Sequence, residues 1–262
     1  MLTVDAQVHI WSAGPPTNPS HRQVTSYTAE ECIRDMDAAG VNACLLHPPG
    51  WDPNSGQISE AAAAKYPNRF AILGNFPLDK PENRALIDGW KRRPGMLGLR
   101  YAFTQPHQAN WMTDGTMDWL WPAAERAGIP IALMASNYLP QVGQVAERHP
   151  GLKLLIDHYA RVRDGKDDAA HGNQAALLAL AKYPNVAVKC TGAPGNFQPI
   201  QSHTARPITS SRSRPLSHGI SSVNIVTHCF HEHGMRVISV PQKLRCGPKV
   251  STICCVYLWM LR

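Results

Sequence analysis

The sequence lacks several features of membrane, secreted and disulfide-bonded proteins. It contains no run of about 18 apolar residues, so we expect no transmembrane helix. Its N-terminus shows no basic region followed by an apolar one, which is the pattern of a secretory signal. Its seven cysteines are scattered and form no Cys-x-x-Cys pair, which favours free thiols in a reducing compartment. These absences predict a cytoplasmic protein that makes no membrane contact.

Most of the sequence also lacks an excess of charge of either sign. Residues 1–198 contain 18 Lys and Arg against 18 Asp and Glu, and residues 199–262 contain 8 against 1, so the net charge of +7 lies in the tail. Within that tail, Ser210–Arg214 (SSRSR) carries basic residues with no aromatic platform for stacking on bases. We therefore predict no nucleic-acid partner.

No Gly-x-Gly-x-x-Gly or P-loop pattern follows an apolar run, which argues against nucleotide binding. The sequence instead alternates short apolar runs with helical patterns at intervals of about 25–30 residues. Runs that are apolar on both faces indicate a parallel sheet, and this regular alternation favours a (β/α)8 TIM barrel over a doubly wound sheet. Seven strands are predicted: Val4–Trp11, Val41–His47, Phe70–Phe76, Met96–Phe103, Pro130–Ala135, Leu152–Asp157 and Val186–Lys189.

Helical patterns lie between the predicted strands. The first begins with a capping box, in which Thr28 is the N-cap and Glu31 follows three residues later, and it stops at Gly40. The others are predicted at Ser55–Tyr66, Glu82–Arg92, Met117–Ala127, Leu139–His149 and Asn173–Lys182.

The alternation stops near residue 197. We predict a barrel domain over residues 1–197 and an atypical basic tail, partly disordered, over 198–262. In the tail, Ser202–Ser222 is predicted to be loop or disorder, and Val250–Leu261 is predicted to be a buried strand or an aggregation-prone segment. His228–His233 (HCFHEH) is dense in metal-binding side chains, but its spacing matches no zinc finger. No eighth βα unit is evident, so we expect a barrel that is incomplete or distorted there.

The first predicted strand places three polar side chains on one face. Asp5, Gln7 and His9 are two residues apart, and side chains alternate along a strand. In a parallel barrel, the active site lies at the carboxyl ends of the strands. The pattern therefore predicts a functional site there; the alternative is a strand whose polar residues face solvent.

Four motifs resemble the amidohydrolase superfamily, in the amidohydrolase-2 branch of TIM-barrel hydrolases, lactonases and decarboxylases. They are DAQVHIW at Asp5–Trp11, GLRY at Gly98–Tyr101, LIDHYA at Leu155–Ala160 and VAVKCTG at Val186–Gly192. They occur in the family's order, and the resemblance covers roughly residues 2–195. It implies an enzyme that hydrolyses a lactone or related ring of a small carboxylated compound, with water attacking the carbonyl.

The resemblance also assigns roles to residues. His158 would polarise the carbonyl or move a proton, with His9, Gln7 and Asp5 beside it in the catalytic set. Arg100 would hold the substrate carboxylate in a bidentate way. The remaining residues expected at the mouth of the barrel are His47, Trp11 and Tyr101.

Departures from the family's pattern argue against a tightly bound metal. Gln7 stands where the family usually has the first His of its opening motif, and an amide oxygen is a poorer zinc ligand than imidazole. The region after the fifth strand, Leu133–Asn137, has no His, and the family's Asp after the eighth strand has no counterpart. We expect no tightly bound metal; if a divalent metal such as zinc binds, His9 and Gln7 are its candidate ligands.

Two other functions stay open. One is a metal-dependent decarboxylase on the same barrel, and the other is a catalytically inactive, truncated barrel or binding module. A reading-frame shift near residues 195–198 would explain why the tail departs from the family so abruptly; a genuine lineage-specific tail is the competing explanation. In either case an open barrel exposes strand edges, so we predict low solubility and weak activity. A homo-oligomer is compatible with the sequence.

Overall fold

The computed structural model describes residues 3–18, 21–162, 165 and 167–189, together with the strands Ile225–His231 and Gly234–Val240. Seven parallel strands form one sheet, and each strand is hydrogen-bonded to the next one along the chain. This sequential order confirms the barrel topology over the doubly wound alternative. The strands are β1 (Val4–Val8), β2 (Ala43–Leu46), β3 (Phe70–Gly74), β4 (Met96–Tyr101), β5 (Ile131–Leu133), β6 (Leu154–Ile156) and β7 (Val186–Val188).

Helices connect the strands, as the sequence predicted. Thr28 Oγ1 accepts a hydrogen bond from Glu31 N (3.2 Å), and Thr28 N donates to Glu31 Oε2 (2.8 Å), which confirms the capping box. Gly40 ends this helix with φ of 70°, a left-handed conformation that glycine adopts without a steric penalty. The helices are α1 (Ala29–Ala39), α2 (Ser55–Lys65), α3 (Leu86–Gly89), α4 (Leu120–Ala127), α5 (Leu139–Arg148), α6 (Asp167–Ala170) and α7 (Gln174–Leu178).

Most predicted elements are shorter in the structure, and the cause is clear for two of them. The helix predicted at Glu82–Arg92 is α3 flanked by 3₁₀ turns, because Gly89 is a poor helix former and Trp90 donates its indole N–H to Gly98 O (3.0 Å). The strand predicted to reach Trp11 ends at Val8, since the Trp11 main chain pairs with Tyr27 instead (3.0 and 2.9 Å). That pairing closes the loop after β1.

The sheet curls so that its first and last strands approach each other at their carboxyl ends. Lys189 directly follows β7, and its Nζ lies 2.6 Å from Oε1 of Gln7 in β1. Within the described residues, β1 pairs with β2 alone and β7 with β6 alone, so no described strand closes the barrel. This agrees with a barrel that is incomplete at its eighth unit.

Two layers of apolar side chains hold the sheet. The larger cluster lies between the sheet and the helices and includes Trp90, Leu120 and Ile131. A smaller cluster occupies the other face; its buried members are Ala6, Leu45, Leu73, Ala132 and Leu155. Leu45 and Leu155 each lie two residues before a polar residue, His47 and Asp157. The small cluster is therefore the apolar layer beneath the polar ends of the strands.

Part of the tail is described. β8 (Ile225–His231) and β9 (Gly234–Val240) form an antiparallel hairpin of their own. The predictions for Ser202–Ser222 and Val250–Leu261 lie outside the described residues, and the division of the chain at residue 197 stays a prediction. No helix within the described residues is long and apolar enough to cross a bilayer.

Candidate active site

The carboxyl ends of five strands bring polar side chains together at one end of the sheet. Each side chain lies at the end of its strand or up to two residues beyond it. Because parallel strands end at the same edge, residues that are distant in sequence meet there. The set comprises Gln7 and His9 (β1), His47 (β2), Arg100 (β4), Asp157 and His158 (β6) and Lys189 (β7).

A buried carboxylate lies at the centre of this group. Asp157 Oδ2 accepts a hydrogen bond from Arg100 Nε (2.6 Å), and Asp157 Oδ1 is 2.7 Å from Lys189 Nζ. Burial alone would raise the pKa of Asp157, but the charges of Lys189 and Arg100 hold that pKa well below its usual value. Asp157 is therefore ionised at neutral pH, and each of its oxygens faces a cation.

Lys189 is fully buried and has further polar neighbours. Its Nζ donates to Gln7 Oε1 (2.6 Å) and lies 3.3 Å from His47 Nε2. Burial lowers the pKa of Lys189 to about 8, against the opposing effect of Asp157. The ammonium is thus charged below about pH 8 and links β7 to β1 and β6.

A chain of hydrogen bonds continues from Gln7 into two histidines. Gln7 Nε2 lies 3.4 Å from His9 Nε2, and His9 Nδ1 lies 2.6 Å from the carbonyl oxygen of His47. His47 Nε2 is 2.9 Å from the carbonyl oxygen of Ala6. A carbonyl can only accept, so these contacts assign the proton of His9 to Nδ1 and that of His47 to Nε2. His9 Nε2 is then an acceptor that faces the amide of Gln7.

These histidines are neutral. Burial lowers the pKa of His9 to about 3, although its hydrogen bond to His47 O opposes the change. Burial and the nearby charges of Lys189 and Arg100 hold the pKa of His47 well below its usual value. Both imidazoles therefore carry one proton at physiological pH and serve as neutral donors and acceptors.

His158 occupies a tight turn that follows β6. Its backbone has φ of 53° and ψ of 40°, in the left-handed region. The turn is held to β7 because Tyr159 N donates to Lys189 O (3.0 Å). Burial lowers the pKa of His158 to about 3 despite the charge of Asp157 beside it. A neutral imidazole is thus held next to the Asp157 ion pairs.

The loops after β1 and β2 contribute an aromatic wall that the sequence did not point to. The ring of His21 lies 5.6 Å from that of His9 and 5.9 Å from that of Trp51, and Trp51 is 5.8 Å from His9. No described residue accepts a hydrogen bond from the buried Nε1 of Trp51. His21 and Trp51 therefore border the same space as His9, and a donor there is available to a ligand.

Three of the predicted site residues are buried, and each has a hydrogen bond to the main chain. Trp11 is buried and donates its indole N–H to Val24 O (3.1 Å), which holds the loop after β1. Tyr101 is buried and donates its hydroxyl to Phe76 O (3.3 Å), and burial raises its pKa. Asp5 is buried, and its Oδ1 accepts a hydrogen bond from Gln7 N (2.9 Å). Their assignment to the site stays a prediction.

The sequence reasoning missed two charged members of the site. Asp157 and Lys189 were included in predicted strands, and the ion pair between them was not anticipated. The available signal was a charged residue at the end of a strand that is otherwise apolar, since such a charge is buried only when it has a partner. Arg100, which was predicted to hold a substrate, is one of the partners that Asp157 requires.

The donor set fits a divalent metal poorly. Within the described part of the chain, no three His, Cys, Asp or Glu side chains come together at a point that a metal could occupy. The candidate ligand Gln7 directs its oxygen to Lys189, and His9 Nε2 faces the amide nitrogen of Gln7. Catalytic zinc normally has three protein ligands, and these residues do not supply them.

A surface groove lies at the opposite end of the strands. Its volume is about 270 Å³, and it is lined by exposed cations that precede β4 and β5, among them Lys91, Arg92 and Arg126. The buried polar network does not extend to it. In barrels of this kind chemistry takes place at the carboxyl ends of the strands, so we place the site at the other end.

Comparison with known proteins agrees with this architecture. Residues 4–210 match the sequence profile of the amidohydrolase family. The chain is 28% identical over 125 residues to the L-fucono-1,5-lactonase of Burkholderia ambifaria, an alignment that covers 47% of this chain and 42% of that protein. It therefore spans less than half the length of this relative.

Solved structures share the fold at low sequence identity. A zinc-bound amidohydrolase from Burkholderia multivorans has a TM-score of 0.59 at 18% identity, over 73% of this chain and 70% of that one. A probable 2-pyrone-4,6-dicarboxylic acid hydrolase from Acinetobacter baumannii, with citric acid bound, has a TM-score of 0.56 at 17% identity, over 75% and 73% of the two chains. At these identities the likeness establishes the fold alone.

Proposed function

The chain belongs to the amidohydrolase family, and we propose that it hydrolyses a lactone or related ring in a small carboxylated compound. The observation that carries this proposal is the hydrogen bonding of the Arg100 guanidinium. Its Nε is held by Asp157, while no described residue accepts a hydrogen bond from its two Nη atoms. A guanidinium fixed in this way is oriented to bind a carboxylate, next to neutral imidazoles that can take part in proton transfer.

The names of two similar proteins support this substrate class. One is called an L-fucono-1,5-lactonase, which denotes opening of a lactone. The other is called a probable hydrolase of a pyrone dicarboxylic acid, a name that combines a ring with carboxylates. We carry over to this chain what the two names share, which is hydrolysis of a cyclic compound.

The reaction that we propose uses residues already held in place. Arg100 binds the substrate carboxylate, and the neutral imidazole of His158 accepts a proton as water attacks the carbonyl carbon. The Gln7 amide and His9 line the side on which the negative oxygen develops. The ring C–O bond then breaks, and the proton on His158 passes to the leaving alkoxide. The products are a hydroxy acid and the original neutral imidazole.

Substitution of Arg100 tests this substrate class. We expect Arg100→Met to raise KM at least about tenfold for carboxylated lactones and to leave KM for an uncharged lactone unchanged, because charge-assisted hydrogen bonds to one substrate group are lost. Arg93→Met is the matched control, since Arg93 also pairs with a carboxylate, Glu60, but precedes β4. Ring opening is followed by acid release at constant pH. An equal KM change for both substrates would refute the assigned role of Arg100.

A second function is favoured by the open sheet. No described strand is hydrogen-bonded to the outer edge of β7 or of β1, and the tail contains Glu232 as its only acid. A binding module would retain ligand affinity without turnover, and His158→Ala would not change that affinity. The third alternative, a metal-dependent decarboxylase, would release carbon dioxide from the same substrates. The same assay, with carbon dioxide detection added, separates the three.

A further inference from the structure

The ammonium of Lys189 lies where potential metal ligands from two strands converge. Its Nζ is 2.6 Å from Gln7 Oε1, 2.7 Å from Asp157 Oδ1 and 3.3 Å from His47 Nε2. Amide and carboxylate oxygens are groups that bind divalent metals in proteins, whereas His47 Nε2 carries the proton that it donates to Ala6 O and has no free lone pair. In this protein they surround a lysine.

The main chain of Lys189 is fixed as firmly as its side chain. Lys189 N donates to Ile156 O (2.7 Å), and Lys189 O accepts from Tyr159 N (3.0 Å). The side chain has no exposed surface. The ammonium is therefore held at the centre of this group by a main chain and a side chain that are both fixed.

The charges around Lys189 disfavour a further cation electrostatically. Asp157 already faces two cations, since Arg100 binds one of its oxygens and Lys189 the other. A divalent ion beside them would be repelled by both, and such repulsion is strong in a buried site of low dielectric constant. With Arg100 and Lys189, a divalent ion would bring the local positive charge to four, which exceeds what the carboxylates of Asp157 and Asp5 can compensate.

We propose that the Lys189 ammonium is a built-in cation that takes the place of a divalent metal. It holds the Gln7 amide and the Asp157 carboxylate in position, and it keeps a metal ion away from them. The inference does not depend on the proposed hydrolysis, because its test is metal binding. Lys189 is thus a positioning residue: its charge orients the Gln7 amide and the Asp157 carboxylate, as a metal ion would.

Zinc titration of the full-length chain tests this proposal. All proteins carry His228→Ala, His231→Ala and His233→Ala, which remove the three histidines of the HCFHEH cluster, and are freed of metal with a chelator before titration. Lys189→Met removes the charge and keeps an apolar stem. Lys182→Met is the control, since Lys182 is exposed beside the ring of Tyr183. Zinc affinity is measured by calorimetry, and the shift of Tm with zinc is measured by thermal unfolding.

We expect Lys189→Met to bind zinc at least about tenfold more tightly than the chain with Lys189, because the Gln7 and Asp157 oxygens become available as ligands. Its Tm rises with zinc, whereas that of the Lys182→Met control does not. Since Lys189→Met leaves Asp157 with one cation and weakens the fold, a second variant adds Asp157→Asn and removes both charges. This double variant should fold and should gain no zinc affinity.

The proposal is overturned if the chain with Lys189 binds one equivalent of zinc as tightly as Lys189→Met does. It is also overturned if the double variant binds zinc as tightly as Lys189→Met, because the ligands would then lie elsewhere. Should Lys189→Met fail to fold, the chain with Lys189 decides the matter. A tight one-to-one zinc complex contradicts the proposal, and failure to bind zinc supports it.

Discussion

At the scale of residues, the turn after β6 has a left-handed backbone and contains His158, whose pKa is lowered. His158, Tyr159 and Ala160 have φ values of 53°, 57° and 51°. The left-handed region costs a non-glycine residue about 1–2 kcal/mol. The turn persists because it bonds to Lys189 and to itself, with Arg161 N donating to His158 O (3.0 Å). Backbone strain of this kind is concentrated at functional sites, which agrees with the role proposed for His158.

Glycine in this turn should relieve the strain. Ala160→Gly removes a buried methyl group but makes the left-handed φ favourable, so we expect the free energy of unfolding to change by less than about 0.5 kcal/mol. The matched control is Ala132→Gly, because Ala132 is equally buried but lies in β5; it should lose about 1–2 kcal/mol. Urea unfolding measures both. Equal losses would mean that the turn is not strained.

The histidine of the turn should also make the fold sensitive to acid. Burial lowers the pKa of His158 to about 3 against the charge of Asp157, and Arg100, Lys189 and Arg161 add to the lowering. In the unfolded chain the pKa is about 6.5, so between about pH 6.5 and 3 the unfolded state binds a proton that the folded state does not. In that window, His158 therefore lowers the free energy of unfolding by about 1.4 kcal/mol for each unit by which the pH falls.

His158→Asn should remove this share of the pH dependence, since Asn tolerates the left-handed backbone and does not titrate. The measurement is the free energy of unfolding in urea at several pH values between 7 and 4. A slope equal to that of the unsubstituted chain would show that His158 is protonated in the folded state.

Single residues of the site were only partly predictable. The resemblance placed Arg100 and His158 at strand ends, and the structure brings them to one buried network with Gln7 and His9. The ion pair of Asp157 with Lys189 joins residues from different strands, and no local pattern specifies such a partner. For the same reason, the ring contact between His21 and His9 depends on how a loop folds back.

At the scale of elements, β4 and β5 approach each other at a glycine. A Cβ on Gly98 would lie 2.5 Å from Pro130 O and 2.8 Å from Leu73 Cδ2. Atoms at these distances overlap, so the strands must separate if a side chain is added. Because Arg100 lies two residues beyond Gly98, that separation would also move Arg100.

Gly98→Ala should therefore lower the free energy of unfolding by about 1–3 kcal/mol. Gly56→Ala is the control: a Cβ there meets nothing within 4 Å, and alanine in α2 should stabilise the chain by up to about 1 kcal/mol. Thermal or urea unfolding of the two variants gives the comparison. A stable Gly98→Ala variant would contradict the close packing of β4 against β5.

Elements were predictable because their apolar periodicity is local. All seven strands and the capped start of α1 lie where the sequence placed them. Their ends were less predictable, since Trp11 pairs with Tyr27 and Trp90 bonds to Gly98 O, and both partners come from other elements. The hairpin of β8 and β9 was not foreseen, because the tail gave no clear alternation of strands and helices.

At the scale of the whole molecule, the outer edges of β1 and β7 are hydrogen-bonded to no other described strand. Unpaired edges invite association with other chains. We expect the chain as written to form polydisperse oligomers or precipitate, which light scattering after size-exclusion chromatography measures. A monodisperse preparation would contradict this expectation. The predictions of a cytoplasmic location and of a homo-oligomer remain untested.

The frame-shift hypothesis belongs to the same scale. Sequencing of the gene across the codons for Val186–Ser210 would show whether one inserted or missing base restores an eighth βα unit. We expect a chain restored in this way to be monodisperse and more active, because closing the barrel removes both edges. If the reading frame is confirmed as written, the inactive barrel becomes the leading alternative.

The central claim is that His158 transfers a proton while water opens a carboxylated ring. The most direct measurement is acid release at constant pH from a carboxylated lactone, by the full-length chain and by His158→Asn. We predict that kcat falls at least about a hundredfold in the variant while its circular dichroism spectrum is unchanged, since general acid–base catalysis contributes this much or more. Equal rates for the two proteins, or no acid release by either, would contradict the account.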